Sequence, residues 1–131
     1  MGAAKTPDLF KCAISFAGIS DLRALRDSHR YYLSYQVIRE QLGKDSDKLE
    51  VSSPLHQIEK IKIPILLVHG EDDRSVSVEQ SRKMAKKLKK KNKVFTYIEL
   101  DEGNHHLDNQ ENRHKFFRAM DGFLDKYLLD R

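Results

Sequence analysis

Two short segments of the sequence place an acid and a base where they could work together in catalysis. Asp72 and Asp73 stand in one segment, just after a predicted strand, and His105 and His106 stand in the other. A carboxylate that orients an imidazole, which in turn moves a proton, makes two of the three members of a Ser-His-Asp triad. The third member, a serine in a Gly-x-Ser-x-Gly turn, has no counterpart in the 131 residues. The sequence therefore predicts an acid and a base without a nucleophile.

The elements around these segments predict that the acid and the base lie close together. Residues 63–70 form an apolar run typical of a parallel strand covered on both faces, and residues 94–100 form a second predicted strand. An amphipathic helix predicted over residues 78–90 connects them. Because such connections are right-handed, both strands end at the same edge of the sheet, where open parallel sheets bind their ligands. We therefore expect Asp73 and His105 to be neighbours.

The rest of the chain adds one more strand and several helices. A third strand is predicted over residues 10–17, and the alternation of strands and helices indicates an α/β fold with about three parallel strands flanked by helices. Further helices or helical turns are predicted over residues 1–5, 21–25, 31–42, 45–50, 55–61 and 112–129. The residues predicted to face inward are Ser81, Met84, Ala85 and Leu88 on the helix at 78–90, and Phe116, Phe117, Met120, Phe123, Leu124 and Tyr127 on the last helix. The length suits a single domain.

Composition and charge argue against several classes of protein. The net charge is only +4, and the lysine cluster within residues 83–93 has no interleaved aromatic residues, so we predict no nucleic-acid binding. No apolar stretch approaches about 18 residues and no signal-peptide core is present, which predicts no membrane segment and a cytoplasmic location. Cys12 is the single cysteine, and no pair of histidines has a metal-ligand spacing. We therefore predict no metal and no cofactor.

A set of short motifs along the chain resembles one known family. The matching residues are Thr6-Pro7-Asp8-Leu9-Phe10-Lys11-Cys12-Ala13, Phe16-Ala17-Gly18-Ile19-Ser20-Asp21-Leu22, Ser53-Pro54-Leu55, Ile63-Pro64-Ile65-Leu66-Leu67-Val68-His69-Gly70, Val76, Gln80-Ser81 and Gly103-Asn104-His105. In this order they resemble the C-terminal part of the prolyl oligopeptidase family of serine peptidases, which includes dipeptidyl and acylaminoacyl peptidases. The resemblance extends over nearly the whole chain and implies part of an α/β-hydrolase fold.

The resemblance implies a role for each residue of the acid and base segments. The family's acid stands four residues after the His of a His-Gly pair, which is Asp73 in this sequence rather than the adjacent Asp72. The family's base lies in a Gly-x-His loop before the last helix, and this position matches His105 rather than His106. His69 is predicted to be structural and to shape the acid loop.

The chain departs from the family at the nucleophile. Family members carry it in Gly-x-Ser-x-Gly-Gly, ahead of a helix that ends in a segment like residues 1–7, so we expect the chain to begin inside that helix. The family's oxyanion donors also lie upstream. Ser20 is the nearest local mimic of the nucleophile, but Leu22 stands in place of the second glycine, and Ser20 is predicted to cap a helix instead. We expect a peptide substrate for the complete enzyme and no activity from these 131 residues alone.

Two other interpretations stay open. The chain could be a stand-alone, non-enzymatic module that associates with itself, or a fragment of an α/β-hydrolase esterase, since acid and base loops alone do not define the acyl substrate. The strand predicted over residues 10–17 is apolar and lacks a neighbour on one side. Because open strand edges recruit other strands, the sequence predicts a homo-oligomer formed through this edge.

Overall fold

Three parallel strands form one sheet in the computed structural model, which describes residues 2–28 and 35–129. In the described part of the chain their order across the sheet is β1 (Ala13–Phe16), β2 (Ile65–Gly70) and β3 (Phe95–Leu100). The central strand β2 pairs in parallel with both neighbours. This arrangement confirms the predicted three-stranded parallel sheet, although each strand is shorter than its predicted range.

Helices connect the strands and cover both faces of the sheet. The α-helices are α1 (Gly2–Lys5), α2 (Leu22–Ser28), α3 (Tyr35–Leu42), α4 (Ser46–Ser52), α5 (Glu79–Lys90) and α6 (Gln110–Tyr127), and short 3-10 helices lie at Pro7–Leu9, Pro54–His56 and Ile58–Lys60. The first residues of the helix predicted over 31–42 lie outside the described part. The helical turn predicted over 55–61 is two successive 3-10 helices. Among the described residues, no helix is long and apolar enough to cross a membrane.

Side-chain caps explain where several helices begin. Asp45 accepts hydrogen bonds from the first backbone N–H groups of α4, and Asn109 does the same for α6. The predicted cap at Ser20 is wrong. Asp21 Oδ1 accepts the N–H of Ala24 at 2.9 Å, whereas the hydroxyl of buried Ser20 donates to the carbonyl oxygen of Gln80 at 2.7 Å. Tertiary contact with α5 therefore takes the hydroxyl that sequence reasoning assigned to the helix end.

The core lies on both faces of β2, whose side chains alternate between two clusters. One cluster contains Ile65 and Leu67 with Leu55, Ile58, Ile61, Met84, Ala85 and Leu88, and the other contains Leu66 and Val68 with Leu100, Phe116 and Phe123. The four inward-facing residues predicted on α5 are all buried. On α6 the prediction for Phe117 is wrong, because it is 51% exposed. Each residue turns a helix by roughly 100°, so Phe117 points away from the stripe that Phe116 and Phe123 define.

The outer edge of β1 is less enclosed than the rest of the sheet. All four residues of β1 are half-buried, and within the described residues the strand pairs only with β2. Phe10 and Ile19 lie at either end of β1 and are exposed. Both line a groove of about 370 Å³ beside the strand. The chain thus leaves apolar surface uncovered at this edge.

Candidate active site

The acid lies on the turn that follows β2. Asp73 is 8% exposed, and its Oδ1 accepts the backbone N–H groups of Ser75 and Val76, both at 2.8 Å. Asp is well suited to such turns because its short carboxylate reaches the backbone two and three residues ahead. These two bonds leave Oδ2 available for a partner from another loop.

The base reaches that second oxygen from the loop after β3. His105 Nδ1 lies 2.8 Å from Asp73 Oδ2. A carboxylate oxygen accepts a hydrogen bond, so Nδ1 carries the proton and Nε2 is left with its lone pair. The His105 side chain is 34% exposed while that of Asp73 is fully buried. The pair therefore has the geometry of an imidazole base oriented by a carboxylate, with the base on the solvent side.

The surroundings of Asp73 favour its ionised form. Burial raises the pKa of the carboxyl group, but hydrogen bonds from the Val76 N–H, from His105 and from the Ser75 N–H outweigh burial and hold the pKa below its usual value of 3.8. Asp73 is consequently a carboxylate at neutral pH. An ionised acid is what an orienting role toward His105 requires.

Two glycines let the acid loop (residues 71–78, after β2) and the base loop (residues 101–109, after β3) meet. A Cβ atom on Gly70 would lie 2.2 Å from the carbonyl oxygen of Gly103, closer than any side chain permits. This contact aligns the loops for backbone hydrogen bonds, in which Asp72 N–H donates to Gly103 O at 2.9 Å and Glu71 N–H donates to Leu100 O at 3.0 Å. The ends of β2 and β3 are therefore joined directly beside the Asp73–His105 pair.

Side-chain hydrogen bonds also hold the conformation of the base loop. Asn104 Oδ1 accepts the N–H groups of His106 at 3.0 Å and Asp108 at 3.2 Å, and its Nδ2 donates to the Asp108 carboxylate at 2.8 Å. Arg113, on α6, donates to the carbonyl oxygens of Leu107 and Asp108 at 2.7 and 2.8 Å. Neither the Asn104 nor the Arg113 hydrogen bonds were predicted from the sequence. The only available signal was an Asn in a predicted loop, where this residue commonly bonds to nearby backbone.

The side chain of His69, on β2, contacts and supports the acid loop. Its ring is fully buried, with Nε2 2.9 Å from the carbonyl oxygen of Val76 and Nδ1 2.7 Å from the hydroxyl of Ser81. Nε2 also lies 3.3 Å from Asp73 Oδ2. These contacts agree with the predicted structural role of His69 in shaping the acid loop.

The remaining candidates lie apart from the acid–base contact. The Asp72 side chain is exposed, and within the described residues it forms no hydrogen bond to an imidazole. His106 is exposed, and its ring lies nearly perpendicular to the His105 ring, with centroids 5.4 Å apart. In residues 2–28 and 35–129, no three His, Cys, Asp or Glu side chains are grouped so that they could hold a metal ion.

A family model and several known proteins match this chain. The family model described as the prolyl oligopeptidase family matches residues 1–131. The chain is 29% identical over 134 residues to dipeptidyl aminopeptidase BIII of Pseudoxanthomonas mexicana, a match that covers 97% of this chain and 19% of that protein. The chain therefore spans about a fifth of the length of this curated relative.

Solved structures of peptidases also superpose on this chain. A puromycin-hydrolyzing peptidase of Mycobacterium tuberculosis superposes with a TM-score of 0.87 at 26% identity, over 96% of this chain and 19% of that one. An acylaminoacyl peptidase in complex with Z-Gly-Gly-Phe-chloromethyl ketone superposes with a TM-score of 0.84 at 26% identity, over 96% of this chain and 21% of that one. These neighbours confirm the α/β-hydrolase fold, of which the described residues hold three parallel strands.

Proposed function

Because the chain belongs to the prolyl oligopeptidase family, we propose that it supplies the acid and the base of a serine peptidase. In this proposal Asp73 orients His105, and His105 moves the proton. One observation carries the assignment: the 2.8 Å hydrogen bond from His105 Nδ1 to Oδ2 of buried Asp73. Asp72 and His106 are the alternatives within the same loops, and both side chains point to solvent.

The geometry supports a conventional division of labour. His105 Nε2 takes the proton of a serine hydroxyl as the oxygen attacks the peptide carbonyl carbon, and the imidazolium then gives that proton to the leaving amine. Asp73 stays ionised throughout and stabilises the imidazolium. The lowered pKa of Asp73 fits this role, because a carboxyl group that took up the proton itself would no longer hold the Nδ1–H tautomer.

The nucleophile is the part of the reaction that these residues do not provide. The sequence holds no Gly-x-Ser-x-Gly turn, and the Ser20 hydroxyl donates to Gln80. We propose that the serine and the oxyanion donors come from a segment outside these 131 residues, and that the residues alone do not hydrolyse peptides.

Assays of two proteins test this proposal. The first is the 131-residue chain, and the second is the same chain joined to a family segment that carries Gly-x-Ser-x-Gly. Both are assayed with dipeptidyl and acylaminoacyl p-nitroanilides and with the matching esters. We expect turnover only from the joined protein, and its loss on His105→Ala but not on the neighbouring His106→Ala. Turnover of esters alone would favour an esterase.

A direct measurement makes the proposal independent of whether the joined protein folds. In the 131-residue chain, the Nδ1 proton of His105 should give a downfield, slowly exchanging NMR signal that Asp73→Asn removes. Peptide hydrolysis by the 131 residues alone, sensitive to His105→Ala, would overturn the proposal. An Nδ1 signal unaffected by Asp73→Asn would overturn the assignment of the acid.

We also propose that the isolated chain associates with a second copy through the outer edge of β1. Three observations support this association: the strand is half-buried, its outer side has no partner strand within the described residues, and the apolar side chains of Phe10 and Ile19 are exposed. Sedimentation at increasing concentration tests it. A dimer or larger species is expected, and a stable monomer at high concentration would contradict the proposal.

A further inference from the structure

We propose that His69 is a positioning residue for the acid–base pair, holding the Asp73 loop in the one arrangement that presents Oδ2 to His105. The catalytic meaning of this inference rests on the proposed function. The geometry that it concerns can be measured in the chain without any catalysis. No part of the proposed reaction uses His69, yet its ring lies in the same buried space as the Asp73 carboxylate.

The contacts of His69 fix both its tautomer and its orientation. The carbonyl oxygen of Val76 only accepts, so Nε2, 2.9 Å away, carries the proton. Nδ1 is then free to accept the hydroxyl proton of Ser81 at 2.7 Å. Each ring nitrogen therefore has its own partner, one on the acid loop and one on α5. The imidazole connects the helix to the loop and has no freedom to rotate without losing a buried hydrogen bond.

The same ring meets the acid loop at two points. Val76 is held on both sides, because its N–H donates to Asp73 Oδ1 and its carbonyl oxygen accepts from His69. Nε2 of His69 is also 3.3 Å from Asp73 Oδ2, the oxygen that accepts from His105 at 2.8 Å. Two imidazoles thus flank one carboxylate oxygen. A rotation of the carboxylate would break contacts with the backbone and with both rings together.

A second carboxylate, on the strand beside His69, already has a guanidinium partner. Glu99 stands opposite His69 in the register of β2 and β3. Its carboxylate pairs with Arg82 and accepts the Tyr97 hydroxyl. Asp73 is therefore the carboxylate near His69 that has no guanidinium partner among the described residues. This arrangement favours a role of His69 toward the acid, rather than a role as one more member of the surface ion-pair network.

The experiment follows hydrogen exchange of the His105 Nδ1 proton by NMR in the 131-residue chain. His69→Leu removes both ring nitrogens, and Ser81→Ala removes only the hydroxyl that holds the ring. His69→Gln returns an amide N–H to the side of Val76. We expect exchange about tenfold faster in His69→Leu and about threefold faster in Ser81→Ala, the scale of one weakened hydrogen bond. His69→Gln should restore most of the protection.

Internal and external controls separate positioning from general stability. Backbone N–H groups of β2 report global opening, and His56→Gln is the matched change at a histidine that pairs with Glu50 away from the site. Faster exchange at His105 with β2 unchanged supports the proposal. An equal factor at His105 and β2, or no change in Ser81→Ala, overturns it, and Ser81→Ala decides if His69→Leu does not fold. An inactive joined protein would count against the proposed function alone and leave this comparison intact.

Discussion

The strands β2 and β1 differ in how completely the chain encloses them. All six residues of β2 are buried, whereas all four residues of β1 are half-buried. In the described part of the chain β2 has a strand on each side, and β1 has a strand on one side only. The acid follows β2, and the base follows β3, which lies on the side of β2 away from β1. The site therefore lies between the central strand and β3, away from the outer edge of β1.

The acid and base loops are also held more firmly than the outer edge of β1. The acid and base loops are joined by backbone hydrogen bonds and held by His69, Asn104 and Arg113. The β1 edge instead exposes Phe10 and Ile19 beside an open groove. The acid–base pair thus depends on the ends of two adjacent parallel strands and on the side chains that hold their loops. In our proposal, another segment supplies the nucleophile and a second copy covers β1.

The largest expected effect separates the two candidate acids in the joined protein that carries a nucleophile. Asp73→Asn should lower kcat by about 10⁴-fold, because an amide no longer selects the Nδ1–H tautomer of the base. The adjacent, exposed Asp72→Asn is the matched control and should change kcat by less than about threefold. Steady-state kinetics with a peptide p-nitroanilide measures both. Equal losses for the two variants would contradict the assignment of Asp73.

The next effect tests whether the join between the two loops depends on glycine. Gly70→Ala should lower the free energy of unfolding by about 2–3 kcal/mol, because the new Cβ would meet the Gly103 carbonyl oxygen at 2.2 Å. Gly122→Ala on α6 is the control. Its Cβ would meet nothing within 4 Å, so we expect a gain of about 0.5–1 kcal/mol from helix propensity. Urea denaturation measures both, and similar stabilities would show that the loops can separate without cost.

A third variant tests the β1 edge. Ile19→Lys should raise the dissociation constant of self-association by about tenfold or more, since it places a charge beside the groove. Val51→Lys introduces the same charge at an exposed valine of α4 and should leave the constant unchanged. Sedimentation equilibrium gives the two constants. If both substitutions weaken association equally, the interface lies elsewhere.

The smallest effect concerns pH. The pKa of Asp73 is lower in the folded chain than its usual value of 3.8, so the unfolded state binds more protons in that window and the free energy of unfolding decreases as the pH falls. The contribution of Asp73 is present above about pH 4 and is lost as the pH falls through the folded pKa. The difference in unfolding free energy between wild type and Asp73→Asn should shrink below pH 3.8. A constant difference from pH 6 to pH 2.5 would contradict the lowered pKa.

Much of the fold was predictable because its signals are local. The apolar run before Gly70 and the spacing of Met84, Ala85 and Leu88 on α5 identified the central strand and its covering helix, and the structure confirms both. Chain order and the handedness of the connection then predicted that Asp73 and His105 are neighbours. The prediction that Phe117 faces inward was wrong because of the orientation of α6. The prediction that Ser20 caps a helix was wrong because its hydroxyl contacts α5.

The candidate site also has features that followed from the sequence and features that only the tertiary structure decided. The sequence by itself determined the residue types, their order along the chain and the shared edge of β2 and β3, because periodicity and right-handed crossovers are properties of local chain geometry. Only the tertiary structure decided the 2.8 Å contact of His105 with Asp73, the Gly70–Gly103 approach and the clamp of His69 between Val76 and Ser81. Hydrogen bonds form or fail over fractions of an ångström, and such distances are set by packing between segments far apart in the chain.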